Sequence, residues 1–334
     1  MEKLKSFQSQ IYTVNESAFG NIALSIFRYQ AVHNPIYRLY LEARNISPNS
    51  VNSINEIPFL PIEFFKTHLI KTGSWNEEAI FSSSGSTGLS TSSHPVYDLS
   101  FYRNNTRLCF QNFFGPISGY HFLALLPSHL ERSNSSLVSM MAHLIHSSGQ
   151  TSGFDGTCFY LNNLSQLVED IDMLRSRSVR KIVVFGVPFA LLELAETYAA
   201  DLKGCLVFET GGMKGRRKEL TRSELHTALK KGLQVDRIYS EYGMTELFSQ
   251  AYTQGGSTFA CPPWMRILAR DLTDPFQVGL TNKPGGLNVI DLANLYTCAF
   301  IETSDMGTVL ANGEFEVLGR MDNAEIRGCN LMAE

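Results

Sequence analysis

Three short loops in this sequence carry residue types suited to holding phosphates and flat aromatic rings. The first is Ser82-Ser83-Ser84-Gly85-Ser86-Thr87-Gly88-Leu89-Ser90, directly after the apolar run Ala79-Ile80-Phe81. Hydroxyls interleaved with two glycines can fold tightly and aim N–H and O–H groups at phosphate oxygens. No lysine follows Gly88 and the glycine spacing is wrong for a kinase-type P-loop. Taken alone, the same string also reads as a flexible Ser/Gly linker. The second loop, Glu209-Thr210-Gly211-Gly212-Met213-Lys214-Gly215, follows Cys205-Leu206-Val207-Phe208. Its paired glycines would let a flat ring approach the backbone, or simply make a strand-to-helix turn. The third is Ser240-Glu241-Tyr242-Gly243-Met244-Thr245-Glu246. Here an aromatic ring could stack on a base, a hydroxyl bond a phosphate, and a carboxylate hold a Mg²⁺ that also touches phosphate.

The elements around these loops alternate. Short β-type runs occur at Ala79–Phe81, His121–Leu126, Lys181–Val187, Cys205–Glu209 and Asp236–Tyr239. Helical patterns lie between them at Leu99–Phe114 behind a capping Asp98, Leu137–His146, Leu164–Arg175, Phe189–Ala200 and Arg222–Lys231. Thr221 with Glu224 three residues on forms a capping box for the last of these. Alternation of this kind predicts a largely parallel sheet covered by helices, with ligands gathering where loops leave the strands' carboxyl ends. The segment Ala18–Tyr29 spaces Phe19, Ile22, Ile26 and Phe27 as an amphipathic helix. Beyond Gln250, the turns Pro262-Pro263, Pro284-Gly285-Gly286 and Asn312-Gly313 predict an appended antiparallel sheet or small barrel. The fold class expected is therefore α/β with a β-rich end. Residues 1–64 are expected as a helical segment packed on a core of residues 65–334, α/β to residue 250 and β-rich from 251.

Bulk properties narrow the function classes. With 334 residues, 44% of them hydrophobic, the chain can bury a large core. A net charge of −4 gives no electrostatic reason to bind nucleic acid, whose affinity rests on clustered cations. The one basic cluster, Lys214 to Lys218, is short. No apolar stretch approaches the roughly 18 residues that cross a bilayer, so membrane insertion is not expected. Six cysteines at 109, 158, 205, 261, 298 and 329 show no CxxC or disulfide spacing, and a reduced, cytoplasmic protein is expected. Cys261 and Cys298 lack neighbours at metal-ligand spacing. His129, at the end of an apolar run, reads as a loop cap or as part of an acyl pocket.

The ordered set of motifs resembles the adenylate-forming superfamily of acyl-CoA synthetases, luciferases and peptide-synthetase adenylation domains. The set runs Ser-Ser-Gly-Ser-Thr-Gly, Gly-Gly, Tyr-Gly-Met-Thr-Glu, Ser304-Asp305-Met306-Gly307 and Gly319-Arg320-Met321-Asp322. Leu125-Leu126-Pro127-Ser128, Glu131 to Leu137 and Glu325-Ile326-Arg327-Gly328-Cys329 most resemble the acyl-protein synthetase (LuxE-type) family, which activates fatty acids for a reductase. The resemblance implies the large N-terminal domain of an adenylate-forming enzyme, with ATP and Mg²⁺ as cofactors. It assigns the ATP phosphates to Ser83, Ser84, Gly85, Ser86, Thr87 and Gly88, and adenine to Gly211, Gly212, Met213, Tyr242, Gly243 and Met244. Thr245 would contact the α-phosphate, Glu246 would ligate Mg²⁺, Asp305 would accept both ribose hydroxyls, and Arg320 would assist there. The implied chemistry is attack of a carboxylate on the α-phosphorus with departure of pyrophosphate.

Two departures from the family pattern shape the rest. The lysine that ends the phosphate loop in most relatives is replaced by Leu89-Ser90-Thr91-Ser92-Ser93-His94, so Mg²⁺, helix-end amides or another cation such as Lys214 would meet the phosphate charge. The chain also stops at Glu334, where most relatives continue into a small mobile domain, so a core without that lid is expected. Transfer of the acyl group to a cysteine would not need such a lid. Cys329 is the candidate acceptor, with Arg327 beside it to lower the thiol pKa; an inert terminal cysteine is the other reading. The expected partners are a small carboxylic acid, of the fatty type by family, and an acyl-accepting reductase or carrier protein. An acid–CoA ligase of the phenylacetate type and a silent nucleotide- or acyl-binding protein remain as rival functions.

Overall fold

A computed structural model of the chain describes residues 1–83, 91–127, 134–150, 158–198, 200–212 and 220–321. The chain forms two compact units, residues 77–259 and residues 1–76 together with 260–334. It begins with α1 (Glu2–Gln10), α2 (Glu16–His33), α3 (Pro35–Ala43), the short β1 (Leu60–Pro61) and α4 (Phe64–Thr67). Asn15 and Asn34 cap α2 and α3 through their side chains, and Pro35 opens α3 where a missing N–H costs nothing.

Residues 77–259 make the α/β unit. It runs β2 (Ala79–Ser82), β3 (Ser93–Val96), α5 (Leu99–Phe114), β4 (Tyr120–Leu125), α6 (Ser136–Ser147) and α7 (Leu164–Arg177). The chain continues through β5 (Lys181–Gly186), α8 (Pro188–Glu193), β6 (Leu206–Thr210), α9 (Arg222–Leu233), β7 (Ile238–Tyr242), β8 (Ala251–Thr253) and β9 (Phe259–Ala260). Strands β4, β5, β6 and β7 pair in parallel in sequence order, with Phe122 opposite Val183 and Val207 opposite Ile238, and β8 runs antiparallel to β7. Parallel neighbours require crossover connections, and the helical stretches between these strands provide them. The strands are almost wholly buried, as a sheet covered on both faces must be. At the centre, the Phe110 ring of α5 meets Phe122, Tyr120 and Phe208 at centroid distances of 5.2, 5.4 and 5.9 Å. Asp98 caps α5, and the Thr221–Glu224 capping box opens α9, as the sequence predicts.

In the other unit, β10 (Met265–Arg270), β12 (Pro284–Asp291), β13 (Phe300–Val309) and β14 (Phe315–Arg320) pair antiparallel in that order. The short β11 (Val278–Leu280) lies on β10, and β1 pairs in parallel with β13. Helices α2 and α3 are tied to this sheet by buried amides. Gln30 donates to the carbonyls of Asn294 and Leu295 and accepts from the Ala299 N–H, and Asn34 donates to the Thr297 carbonyl. Each bond satisfies a buried backbone group that no strand partner reaches. The mixed α/β architecture agrees with the fold class expected from sequence.

Candidate functional site

The α/β unit contains a cavity of about 160 Å³ that three of the singled-out segments help to line. Its lining includes Ser82 at the end of β2, Thr210 and Gly211 at the end of β6, and Glu241, Gly243, Met244 and Thr245 at the end of β7. Tyr102 of α5, Ser135 just before α6, Ser136, Leu137 and Met140 of α6, and Gln250 complete it. Strand ends and a helix N-terminus therefore face the same space, the arrangement that open α/β sheets use for ligands.

The first loop is built differently from the sequence expectation. It does not leave a strand of the parallel sheet but joins β2 to β3 in a separate antiparallel pair, with Ser82 opposite Ser93. Ser83 closes the loop at its base: its N–H donates to the Ser92 carbonyl and its hydroxyl accepts from the Ser92 N–H. Ser84, Gly85, Ser86, Thr87 and Gly88 lie outside the described residues.

The β3 strand brings a residue that the sequence reading did not assign. His94 is buried, and its Nδ1 lies 2.6 Å from the Thr245 carbonyl oxygen. A carbonyl only accepts, so this nitrogen carries the proton and donates. The bond ties the base of the hydroxyl-rich loop to the Tyr-Gly-Met-Thr-Glu turn. A β-strand holding Ser-His-Pro-Val gives little periodic signal, so in the sequence His94 stands only at the end of the stretch where a lysine is missing.

Gly211 takes φ of +76°, a left-handed conformation that glycine adopts without the Cβ penalty. Gly212 follows it as an exposed residue, while Met213 and Lys214 lie outside the described residues. Gly243 is required for a different reason. A Cβ there would overlap Glu241 Oε1 and lie 3.3 Å from Glu241 Cδ and 3.4 Å from Gln250 Cγ.

Glu241 is the unexpected group. The residue is 8% exposed and its Oε2 accepts from the Thr210 hydroxyl. Burial pushes the carboxyl up to about 7, the Thr210 bond pulls against that, and the nearby Glu209 adds to the rise. The same carboxyl, with burial first, raises the Tyr102 and Tyr252 hydroxyls. In the sequence Glu241 stands only as part of the turn, because a carboxylate beside a tyrosine looks solvated in one dimension.

Tyr242 is 7% exposed and packs edge-on against Phe259 at 5.8 Å. Most of its ring is therefore covered by protein rather than open to a base. Glu246 is 6% exposed, next to Thr245 in the turn. Among the described residues, no group of three His, Cys, Asp or Glu side chains is placed to hold a metal. A single carboxylate such as that of Glu246 still fits Mg²⁺, which takes one or two carboxylates and completes its shell with water and phosphate oxygens.

In the β-rich unit, Asp305 of β13 stands opposite Arg320 of β14, and Arg320 Nε is 3.2 Å from Asp305 Oδ1. Asp305 is 7% exposed, whereas the Arg320 side chain is largely open. The two residues that the resemblance linked to one ribose are thus paired. Cys329 lies outside the described residues. Of the remaining cysteines, Cys298 is buried with its thiol pushed up to about 12, and Cys261 is likewise raised by burial. Neither is a ready nucleophile at neutral pH. No helix among the described residues is long and apolar enough to cross a membrane.

This architecture is that of adenylate-forming ligases. The chain is similar to 2-hydroxyisobutyryl-CoA ligase, captured with an acyl-adenylate and CoA, at a TM-score of 0.69 and 13% identity, covering 94% of this chain and 71% of that one. It is similar to ATP-bound MatB from Rhodopseudomonas palustris at a TM-score of 0.53 and 16% identity over 72% of this chain. The chain spans about half the length of MatB, 48% of it. In sequence it is 34% identical over 79 residues to a long-chain-fatty-acid–luciferin-component ligase of Photorhabdus luminescens, covering 23% of this chain and 67% of that protein. A family model described as acyl-protein synthetase, LuxE, matches residues 9–334. The chain belongs to the LuxE acyl-protein synthetase family.

Proposed function

We propose that this chain uses ATP to activate a carboxylic acid as its acyl-adenylate and then passes the acyl group to a protein cysteine. The observation that carries this reading is the cavity in which the β2, β6 and β7 ends meet the N-terminus of α6. In the first step an oxygen of the substrate carboxylate attacks the α-phosphorus of ATP and the bond to pyrophosphate breaks. Thr245, held by His94, bonds the α-phosphate. Gly211, Gly212, Met213, Gly243, Met244 and the backbone of Tyr242 border the adenine, and Ser83 to Gly88 grip the outgoing phosphates. Asp305 receives the ribose hydroxyls with Arg320 beside it. Mg²⁺ held by Glu246 and phosphate oxygens would supply charge neutralisation, with Lys214 adding to it. Such chemistry rests on positioning and fixed charge rather than on covalent catalysis.

In the second step a thiolate attacks the acyl carbon, AMP leaves, and a thioester forms. Cys329 is the proposed thiol, with a reductase or carrier protein taking the acyl group onward. The fatty nature of the acid is proposed from the family and from the Photorhabdus luminescens relative. Two measurements test the reading. Carboxylate-dependent exchange of labelled pyrophosphate into ATP reports the first step, and its absence across a broad acid panel would remove adenylation. Label from the acid retained on denatured wild type but not on Cys329→Ser reports the second. Label found instead in coenzyme A would replace the protein thiol by that of CoA, the cofactor captured in the 2-hydroxyisobutyryl-CoA ligase structure.

A further inference from the structure

Strand β13 departs from regular pairing where it carries Asp305. Gly286 of β12 stands opposite Met306 and Asn288 opposite Glu302, so Leu287 alone on β12 answers Thr303, Ser304 and Asp305 on β13. The register of β13 against β14 shifts as well, between Met306 and Gly307. An irregularity of this kind leaves backbone groups without ladder partners and re-aims the side chains it carries.

One buried side chain meets those groups. Arg270 of β10 is 5% exposed. Its Nη1 donates to the Leu287 carbonyl at 3.0 Å and to Asn288 Oδ1 at 2.7 Å, and its Nη2 donates to the Thr303 carbonyl at 2.7 Å. Thr303 extends the link. Its hydroxyl donates to the same Leu287 carbonyl and accepts from the Asp305 N–H at 3.2 Å. A cation taken out of water needs such partners, and Glu302 Oε1, 3.7 Å from Nη2, supplies a counter-charge. A planar guanidinium can serve carbonyls on two strands at once, which a point-like ammonium does less well. Gly286 shows how closely the fork is seated. A Cβ there would lie 2.5 Å from Arg270 Cζ and 2.8 Å from its Nε and Nη1. The glycines of Pro284-Gly285-Gly286, which the sequence presents as a turn, lie in β12, and the second of them makes room for this cation.

Resting on the reading that Asp305 receives the ribose hydroxyls, we infer that Arg270 is the positioning residue for that contact, and so for the choice of a ribonucleotide over a deoxyribonucleotide. Arg270 touches no substrate in this role. It holds Thr303, Thr303 holds the Asp305 backbone, and the carboxylate then meets the hydroxyls without a search for geometry. Arg320 cannot substitute, because its side chain is 75% exposed and an open ion pair fixes little.

Pyrophosphate exchange with ATP, 2′-deoxy-ATP and 3′-deoxy-ATP tests this, with a melting curve on each protein. The wild type should favour ATP over either deoxynucleotide by at least about tenfold in kcat/KM. Arg270→Met should bring that preference to within about threefold of one, as Asp305→Ala does, and Arg270→Lys, which keeps a donor, should retain part of it. Gly286→Ala, which keeps Arg270 but crowds its guanidinium, should also weaken it, and with Arg270→Lys it carries the test should Arg270→Met not fold. A side chain that only stabilises the sheet would slow all three nucleotides alike and leave their ratio as in the wild type. That outcome in the Arg270 and Gly286 variants would overturn the positioning role. Calorimetric binding of the same nucleotides gives the ratios without turnover, so a failure of adenylation is read apart from it. Equal binding of all three by the wild type, or a preference untouched by Asp305→Ala, would overturn the ribose contact itself and leave Arg270 nothing to position.

Discussion

Glu241 makes a prediction whose size follows from its surroundings. The carboxyl sits at about 7 in the folded chain against an ordinary 4.5, with burial as the leading cause. A carboxyl raised on folding holds its proton more tightly in the native state. Its contribution to stability is therefore fully present below pH 4.5 and is lost as pH climbs through about 7. The gap, at about 1.4 kcal/mol per factor of ten in proton affinity, amounts to about 3 kcal/mol. Glu241→Gln removes the titration while keeping an oxygen to accept from Thr210. Its stability relative to wild type should rise between pH 4.5 and 7 and then level off. For a unit of this size the rise corresponds to roughly 6–12 °C in melting temperature. Paired melting curves of wild type and variant from pH 5 to pH 9 measure it, because every other titrating group cancels in the difference. A difference that stays flat across that range would show that the carboxyl is ionised and solvated in the native state, and the account of Glu241 as a buried, protonated group would fail with it.

Gly243→Ala places a methyl group against Glu241 Oε1, so the buried carboxyl must shift and its bond from Thr210 is strained. The cost should be about 1–3 kcal/mol in stability, read by thermal melting, with at least tenfold slower pyrophosphate exchange. His94→Ala removes the donor to the Thr245 carbonyl and should lower kcat of exchange by about tenfold or more, with KM for the acid changing less. Asp305→Ala should raise KM for ATP by about tenfold while leaving acid preference alone, and the same assay at varied ATP measures it. Glu246→Gln should shift the Mg²⁺ dependence of exchange to higher metal concentration, seen in a titration at fixed ATP.

Much of the scaffold could be read in one dimension because its signals are local. Asp98 announces α5, which runs from Leu99 to Phe114 as the spacing predicts, and Thr221 with Glu224 announces α9. Apolar runs after Lys181 and Cys205 become buried parallel strands for the same reason. What escaped depends on contacts between distant residues. β3 carries Pro95 and too few alternating residues to stand out, and it exists because its partner β2 lies opposite. His94 acquires meaning only from a carbonyl 151 positions later. Glu241 shows nothing unusual until Thr210, Tyr102 and Gln250 enclose it. The pairing of Asp305 with Arg320 likewise comes from strand register, since the family resemblance implies only that both serve one ribose.

The amide of Gln30 reaches carbonyls 264 and 265 positions further along the chain. A ribosome releases α2 long before the residues it must grip exist, while the intervening α/β unit emerges as one uninterrupted length of chain. That stretch can settle first, and the leading helices have to wait, their apolar faces uncovered, until the last strands arrive to close around them. The period of greatest hazard for this polypeptide thus falls between the birth of α2 and that of β13, when a chaperone has most to protect.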